Sequence, residues 1–106
     1  MWTEARTHLG PRFSEGARRL WLALAARGWS QTKLEAELET KTPVSYWLYG
    51  DKKPSLENAF KLKRLLGIEP DWWNQPANEV FDLGAAQVAV EKARGRHGKP
   101  APEAAA

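Results

Sequence analysis

Cysteine is absent from the chain, so neither a disulfide framework nor a thiolate metal site can be built, and a reducing cytoplasm suits it. The two histidines, His8 and His97, stand far apart in terminal segments, which gives no basis for a zinc site or a histidine-based catalytic centre. No apolar run approaches the roughly twenty residues that a membrane span needs. The start, Met1-Trp2-Thr3-Glu4-Ala5-Arg6, lacks the basic-then-apolar order of a signal peptide. No nucleophile is assembled with a base, no carboxylates are paired, and the glycines fall as helix stops rather than as a G-x-G-x-x-G phosphate loop. These absences lead us to expect no enzyme, no metal and no cofactor.

What is present is a globular composition. With 106 residues, 42% of them hydrophobic and 27% charged, the chain suits one domain of modest core plus tails. The net charge is +3, but its distribution matters more. Residues 1–27 carry +3 and residues 84–106 carry +2, while residues 28–50 and 51–83 each carry −1. Basic ends around a near-neutral middle permit nucleic-acid binding without demanding it.

Along the chain, residues 1–13 have weak periodicity and a Gly10-Pro11 break, and read as an N-terminal arm. Ser14 can cap a helix over residues 15–27 that ends at Gly28. Its apolar stripe is Ala17, Leu20, Trp21 and Leu24, with Arg18 and Arg19 expected toward solvent. Arg18, Arg19 and Arg27 read as a solvated face, with phosphate contact by one of them as the alternative. Ser30 caps a second helix from Gln31 to about Leu38, with Leu34 and Leu38 inward and Trp29 placed as a hydrophobic staple. Glu35, Glu37 and Glu39 make its body unsuited to a phosphate backbone, so only its N-terminus can face an anion. Ser55 caps a helix from Leu56 to Leu66 with Gly67 as its stop, its inward positions being Ala59, Leu62 and Leu66, with Lys61, Lys63 and Arg64 on its outer side. Ile68 to Trp73 reads as a turn or fifth helix, and Trp72 and Trp73 as lids on the core rather than stacking platforms. Pro76 ends this unit. The segment from Val80 to Arg94 fits helical spacing or a hairpin turning at Gly84, and its alanine content favours helix. Residues 95–106 are Gly, Pro, Ala and charge, and read as a disordered tail.

The stretch from Thr40 to Gly50 gathers the chemistry. Thr42 can cap a short helix, Pro43 suits its first turn, and Gly50 can end it in the left-handed region. Two turns over residues 42–49 would bury Val44, Trp47 and Leu48 on one face. Thr42, Ser45, Tyr46 and Tyr49 would face outward with Lys41 just ahead, an array of hydroxyls, rings and a cation without a carboxylate. Either this is an ordinary packing helix, or it is a face built for a polyanion. Two short helices joined by a tight turn describe a helix-turn-helix.

The run Gly28-Trp29-Ser30-Gln31, then Leu34, Leu38 and Val44, then Trp47-Leu48-Tyr49-Gly50-Asp51-Lys52-Lys53-Pro54-Ser55-Leu56-Glu57, and finally Leu62 and Leu66-Gly67-Ile68, resembles the Cro/repressor-type (XRE) helix-turn-helix family. The resemblance covers residues 17–73 and implies an all-α fold, a compact five-helix lambda-repressor-like domain over residues 14–76. It implies double-stranded DNA as partner, a homodimer on a two-fold operator, and a bacterial or phage transcription regulator in the cytoplasm, associated with the nucleoid. Carried over, residues 42–49 form the recognition helix. Lys41, Thr42, Ser45 and Tyr46 then fall where the family meets base edges, and Gln31, Tyr49, Lys52 and Lys53 where it meets the DNA backbone. The chain departs from the pattern at Glu35, where a small residue is usual, at Glu39, where Gly is frequent, and in a turn one residue shorter than usual. Residues 77–94 stand as a C-terminal extension for dimerisation or for a partner protein. Two alternatives stand beside a DNA-binding regulator: a helix-turn-helix module that binds a protein through Tyr46 and Tyr49, or an autoregulating antitoxin whose C-terminal segment grips a toxin.

Overall fold

The computed structural model describes residues 9–77 and 81–97, with side chains as far as Ala93. The arm over 1–8, His8, Val80, the His97 side chain and the tail over 98–106 lie outside the described residues. Five α-helices follow in order: α1, Glu15–Arg27; α2, Gln31–Leu38; α3, Ser45–Leu48; α4, Leu56–Leu66; and α5, Leu83–His97. A 3-10 helix, Pro70–Asn74, stands between α4 and α5, and the described residues contain no strand.

Local chemistry sets most of these boundaries. The hydroxyls of Ser14, Ser30 and Ser55 accept from the N–H groups of Ala17, Lys33 and Asn58 at 3.3, 3.0 and 3.2 Å. Each thereby satisfies a donor that the first helical turn leaves without a partner. Gly28 and Gly67 end α1 and α4 in the left-handed region. The core then joins Leu20 and Leu24 of α1, Leu34 and Leu38 of α2, Val44 and Trp47 around α3, and Leu62 of α4. Leu66, expected among them, is only half-buried; Ile68 and Trp73 are buried with that core instead. Trp73 packs where Gly16 leaves room, since a Cβ there would collide with the indole. Trp72 is half-buried, with the Arg19 guanidinium 4.4 Å from the ring centroid.

Two expectations about α1 and the C-terminal extension are corrected by packing. Arg18 does not point to solvent: its side chain keeps 12% of its exposure and meets the buried Glu15 carboxylate at 2.6 Å, and Arg19 meets the same carboxylate at 2.6 Å. A carboxylate in the core needs cations and hydrogen bonds around it, and the two arginines supply them. The extension, expected over 77–94, carries α5 as far as His97, so residues 95–97 are helical rather than tail. Leu83 and Ala93 are buried, and Phe81, Ala86 and Val90 lie partly buried against the core, while Val88 stays exposed. The segment is a helix and not a hairpin. Phe81, Leu83, Ala86 and Val90 of this segment thus pack against the core of the domain.

Around α3 the structure is shorter than the sequence pattern suggests. Only Ser45–Leu48 is helical, one turn instead of two, and Val44 rather than Thr42 occupies the cap position without a side-chain cap of its own. The Thr42 N–H turns back to the Thr40 hydroxyl at 3.1 Å, a bend that keeps residues 40–43 out of the helix. The far end is well formed. The Asp51 N–H reaches the Tyr46 carbonyl at 2.9 Å and the Gly50 N–H that of Trp47 at 3.3 Å, the paired bonds of a Schellman end. Gly50 has φ 81°, and a Cβ there would run into the Phe13 backbone, so glycine serves both the turn and the docking of the arm.

The end of α2 repeats the Schellman pattern with a residue poorly suited to it. Glu39 sits at φ 55°, donating to Ala36 while Thr40 donates to Glu35. A side chain with a Cβ is sterically disfavoured in that region, and a carboxylate at a helix C-terminus is disfavoured as well. Glu39→Gly is therefore expected to stabilise the fold by about 1 kcal/mol. Urea unfolding followed by tryptophan fluorescence would check this, and an unchanged or lower midpoint would contradict it.

Candidate nucleic-acid interface

The outward side of α3 is shaped by what its inward side must do. Trp47 and Leu48 are buried and the Leu48 carbonyl accepts from the Trp21 indole N–H at 2.8 Å, which anchors α3 to α1. At a 3.6-residue period this turns Ser45 and Tyr46 outward. Tyr46 is exposed, Ser45 and Thr42 are half-buried, and Lys41 and Pro43 are exposed just ahead of the helix. The four residues expected at base edges, Lys41, Thr42, Ser45 and Tyr46, therefore occupy one short stretch with solvent-accessible side chains.

The four residues expected on the DNA backbone divide into two pairs. Lys52 and Lys53 are exposed in the loop after α3. The Lys52 ammonium lies 4.8 Å from the centroid of the Tyr46 ring, a cation–π contact that ties the loop to the outward face, and Lys53 donates to the Asn74 side chain at 2.8 Å. Gln31 and Tyr49 lie elsewhere. Both line a cleft that also includes Trp21, Gln87 and Glu91. Tyr49 is half-buried, edge-on to Trp21 with centroids 5.5 Å apart, and its hydroxyl accepts from the Gln87 amide at 3.1 Å. Its expected outward position is thus corrected: the ring packs against Trp21 of α1 and Gln87 of α5, not beside Tyr46.

Two side chains to which the sequence pattern assigns no role hold the turn. The Glu35 carboxylate accepts from the Val44 N–H at 3.0 Å, and the Lys61 ammonium donates to the Leu38 carbonyl at 2.8 Å. Lys61, expected on the outer side of its helix, is half-buried for this reason. For Glu35 the family resemblance offers a signal, since it implies a small residue there and a longer turn after it. None exists for Lys61, whose partner is twenty-three positions away. Lys63, by contrast, is exposed and paired with Glu69 at 3.1 Å.

Residues 22–73 match a family model described as helix-turn-helix. This segment belongs to the Cro/repressor-type, XRE-like helix-turn-helix family, a DNA-binding class of domain. No curated protein and no solved structure matches the chain. Among the described residues, no helix is long and apolar enough to cross a membrane.

The placement of Tyr49 yields a direct test. Tyr49→Phe removes one hydrogen bond to α5 and is expected to lower stability by about 1 kcal/mol. The salt dependence of DNA binding should stay unchanged. A salt slope reduced by about one phosphate contact would show that the hydroxyl meets DNA instead.

Proposed function

We propose that the chain is a sequence-specific transcriptional regulator of the repressor type, bacterial or phage in origin, cytoplasmic and nucleoid-associated. It places α3 in the major groove, with Lys41, Thr42, Ser45 and Tyr46 at base edges and Lys52 and Lys53 on phosphates. Gln31, at the start of α2, lies toward a flanking phosphate. The observation that carries this reading is the coupling of Lys52 to Tyr46, which presents a cation and a base-reading side chain from one surface. Short polar side chains and lysines suit base edges, while lysines in a loop fix position without reading sequence.

One helix reads only a few base pairs, so the regulator works as a homodimer on a two-fold operator whose half-sites lie about 34 Å apart. Leu56 and Phe60, exposed one turn apart on α4, support this part. The same helix carries Glu57 in its first turn and Lys63 and Arg64 in its last, so two antiparallel copies would bring opposite charges together. The folding of α5 onto its own domain favours this reading over that of a C-terminal segment ordered by a toxin.

The experiment starts with selection of a duplex from a random pool by the full chain, followed by binding at several salt concentrations. Neutralising Lys52 and Lys53 together should weaken binding to every sequence and flatten the salt slope by about 0.9 for each phosphate no longer neutralised. Thr42→Ala or Tyr46→Ala should cost about 1–3 kcal/mol on the selected duplex and little on others. Sedimentation should show two chains per duplex. If all four positions behave alike, or no duplex binds more tightly than about 10⁻⁴ M, the surface meets a protein and the regulator reading fails.

A further inference from the structure

Against the pattern that the resemblance implies, this chain has a glutamate at position 35 and a turn one residue short, on neighbouring elements. The structure joins them. After α2 the backbone reverses through Glu39 in the left-handed region, and the Thr40 and Thr42 N–H groups are taken by the Glu35 carbonyl at 3.3 Å and the Thr40 hydroxyl at 3.1 Å. Val44 follows at once with φ −70° and ψ −13°, already helical, and its apolar side chain is fully buried. That side chain can offer no oxygen to the start of α3. The extended Ser, Thr, Asp or Asn that ordinarily precedes a helix has no place in so short a turn.

The missing acceptor comes from the other helix. Glu35 sits one turn before the end of α2, and its Oε2 accepts the Val44 N–H at 3.0 Å. A single side chain thus spans the turn and fixes where α3 begins. Ser45 and Tyr46 follow directly, and Thr42 and Lys41 lie in the bend that the bond closes. A small residue at position 35 would leave the Val44 donor unmet, and the turn would have to open to reach water.

We propose that Glu35 is a positioning residue for DNA recognition: it caps α3 from α2, compensating the shortened turn, and sets the pose of the base-reading side chains without itself touching DNA. This rests on the regulator reading given above. It demands an acceptor at position 35 rather than a charge. Glutamine, whose amide oxygen can accept from the same N–H, should serve; methionine, of similar length but without a good acceptor, should not.

The test uses the full chain as wild type, E35Q, E35M and E35A, and the duplex that the wild type selects beside a scrambled one. Amide hydrogen exchange followed by NMR should show Val44 opening about tenfold faster in E35M and E35A, and near the wild-type rate in E35Q. Affinity for the selected duplex should fall on the order of tenfold in E35M and E35A. In E35Q it should fall no more than about twofold, with scrambled-duplex affinity and the salt slope unchanged throughout. Agreement between E35M and E35A separates loss of the acceptor from a change in volume, and E35M keeps the test open if E35A unfolds. Wild-type affinity in folded E35M, E35Q as damaging as E35M, or unaltered Val44 exchange overturns the inference alone. Selection of no duplex by the wild type overturns the regulator reading and this role together.

Discussion

Four residues make one helical turn, and fixing their backbone costs about 4–8 kcal/mol of conformational entropy. The few hydrogen bonds closed by such a turn contribute only about 1 kcal/mol each. Hydrogen bonding therefore cannot hold α3 in place. Burial must, and the segment from Val44 to Leu48 sends three side chains into the core: Val44, Trp47 and Leu48, each at most 2% exposed. A buried Trp alone is worth about 3–5 kcal/mol against truncation. The outward face is legible as a surface only because the inward face is so heavily committed.

Elements whose ends are set by their own residues can be read from the chain. Ser14, Ser30 and Ser55 before apolar-periodic runs, and Gly28 and Gly67 after them, place α1, α2 and α4 within about a residue, because capping is local chemistry. The start of α3 cannot be read this way. Thr42-Pro43 has the makings of a cap and first turn, yet the acceptor is the Glu35 carboxylate, nine residues before the Val44 N–H that it takes. Tyr49 escapes the pattern for a related reason. Its neighbours are Trp21 of α1 and Gln87 of α5, and spacing around α3 carries no sign of either. Of the candidate site, Lys41, Tyr46, Lys52 and Lys53 are exposed around the turn, with Thr42 and Ser45 half-buried among them. Gln31 and Tyr49, whose surroundings α5 contributes, do not stand with them.

Charge needs the same care. The N-terminal quarter is strongly basic in sequence, but Glu15 is buried and takes Arg18 and Arg19 at 2.6 Å each. Arg18 is drawn inward, and the Arg19 head lies over Trp72. Such a cluster is worth more as a fixed joint between α1 and its surroundings than as a phosphate contact, since charges held by a buried partner are poorly placed to exchange counterions with DNA. Lys41, Lys52 and Lys53 lie exposed beside the outward face of α3, and they give that face its sign. Net charge over a segment is thus a poor guide to interface until the internal pairs have been removed from it.

The family match begins at Leu22 and ends at Trp73, but what holds α3 extends beyond both limits. Trp21, one residue before it, donates to the Leu48 carbonyl at 2.8 Å. The arm donates from Gly10 to the Tyr49 carbonyl and from Arg12 to that of Gly50, both at 2.6 Å. Phe13 then meets Phe81 with centroids 4.8 Å apart, and Phe81 lies 6.3 Å from Trp21, which in turn meets Tyr49 edge-on. An aromatic chain thus runs from the arm through the segment before α5 to α1 and back to the end of α3. Aromatic pairs of this kind add about 0.5–1.5 kcal/mol each beyond the area they bury. A helix of one turn, with its start capped from α2, needs its end held from elsewhere. The segments outside the family pattern are where this chain supplies that hold, which is why α5 lies against α1 and not apart from the domain.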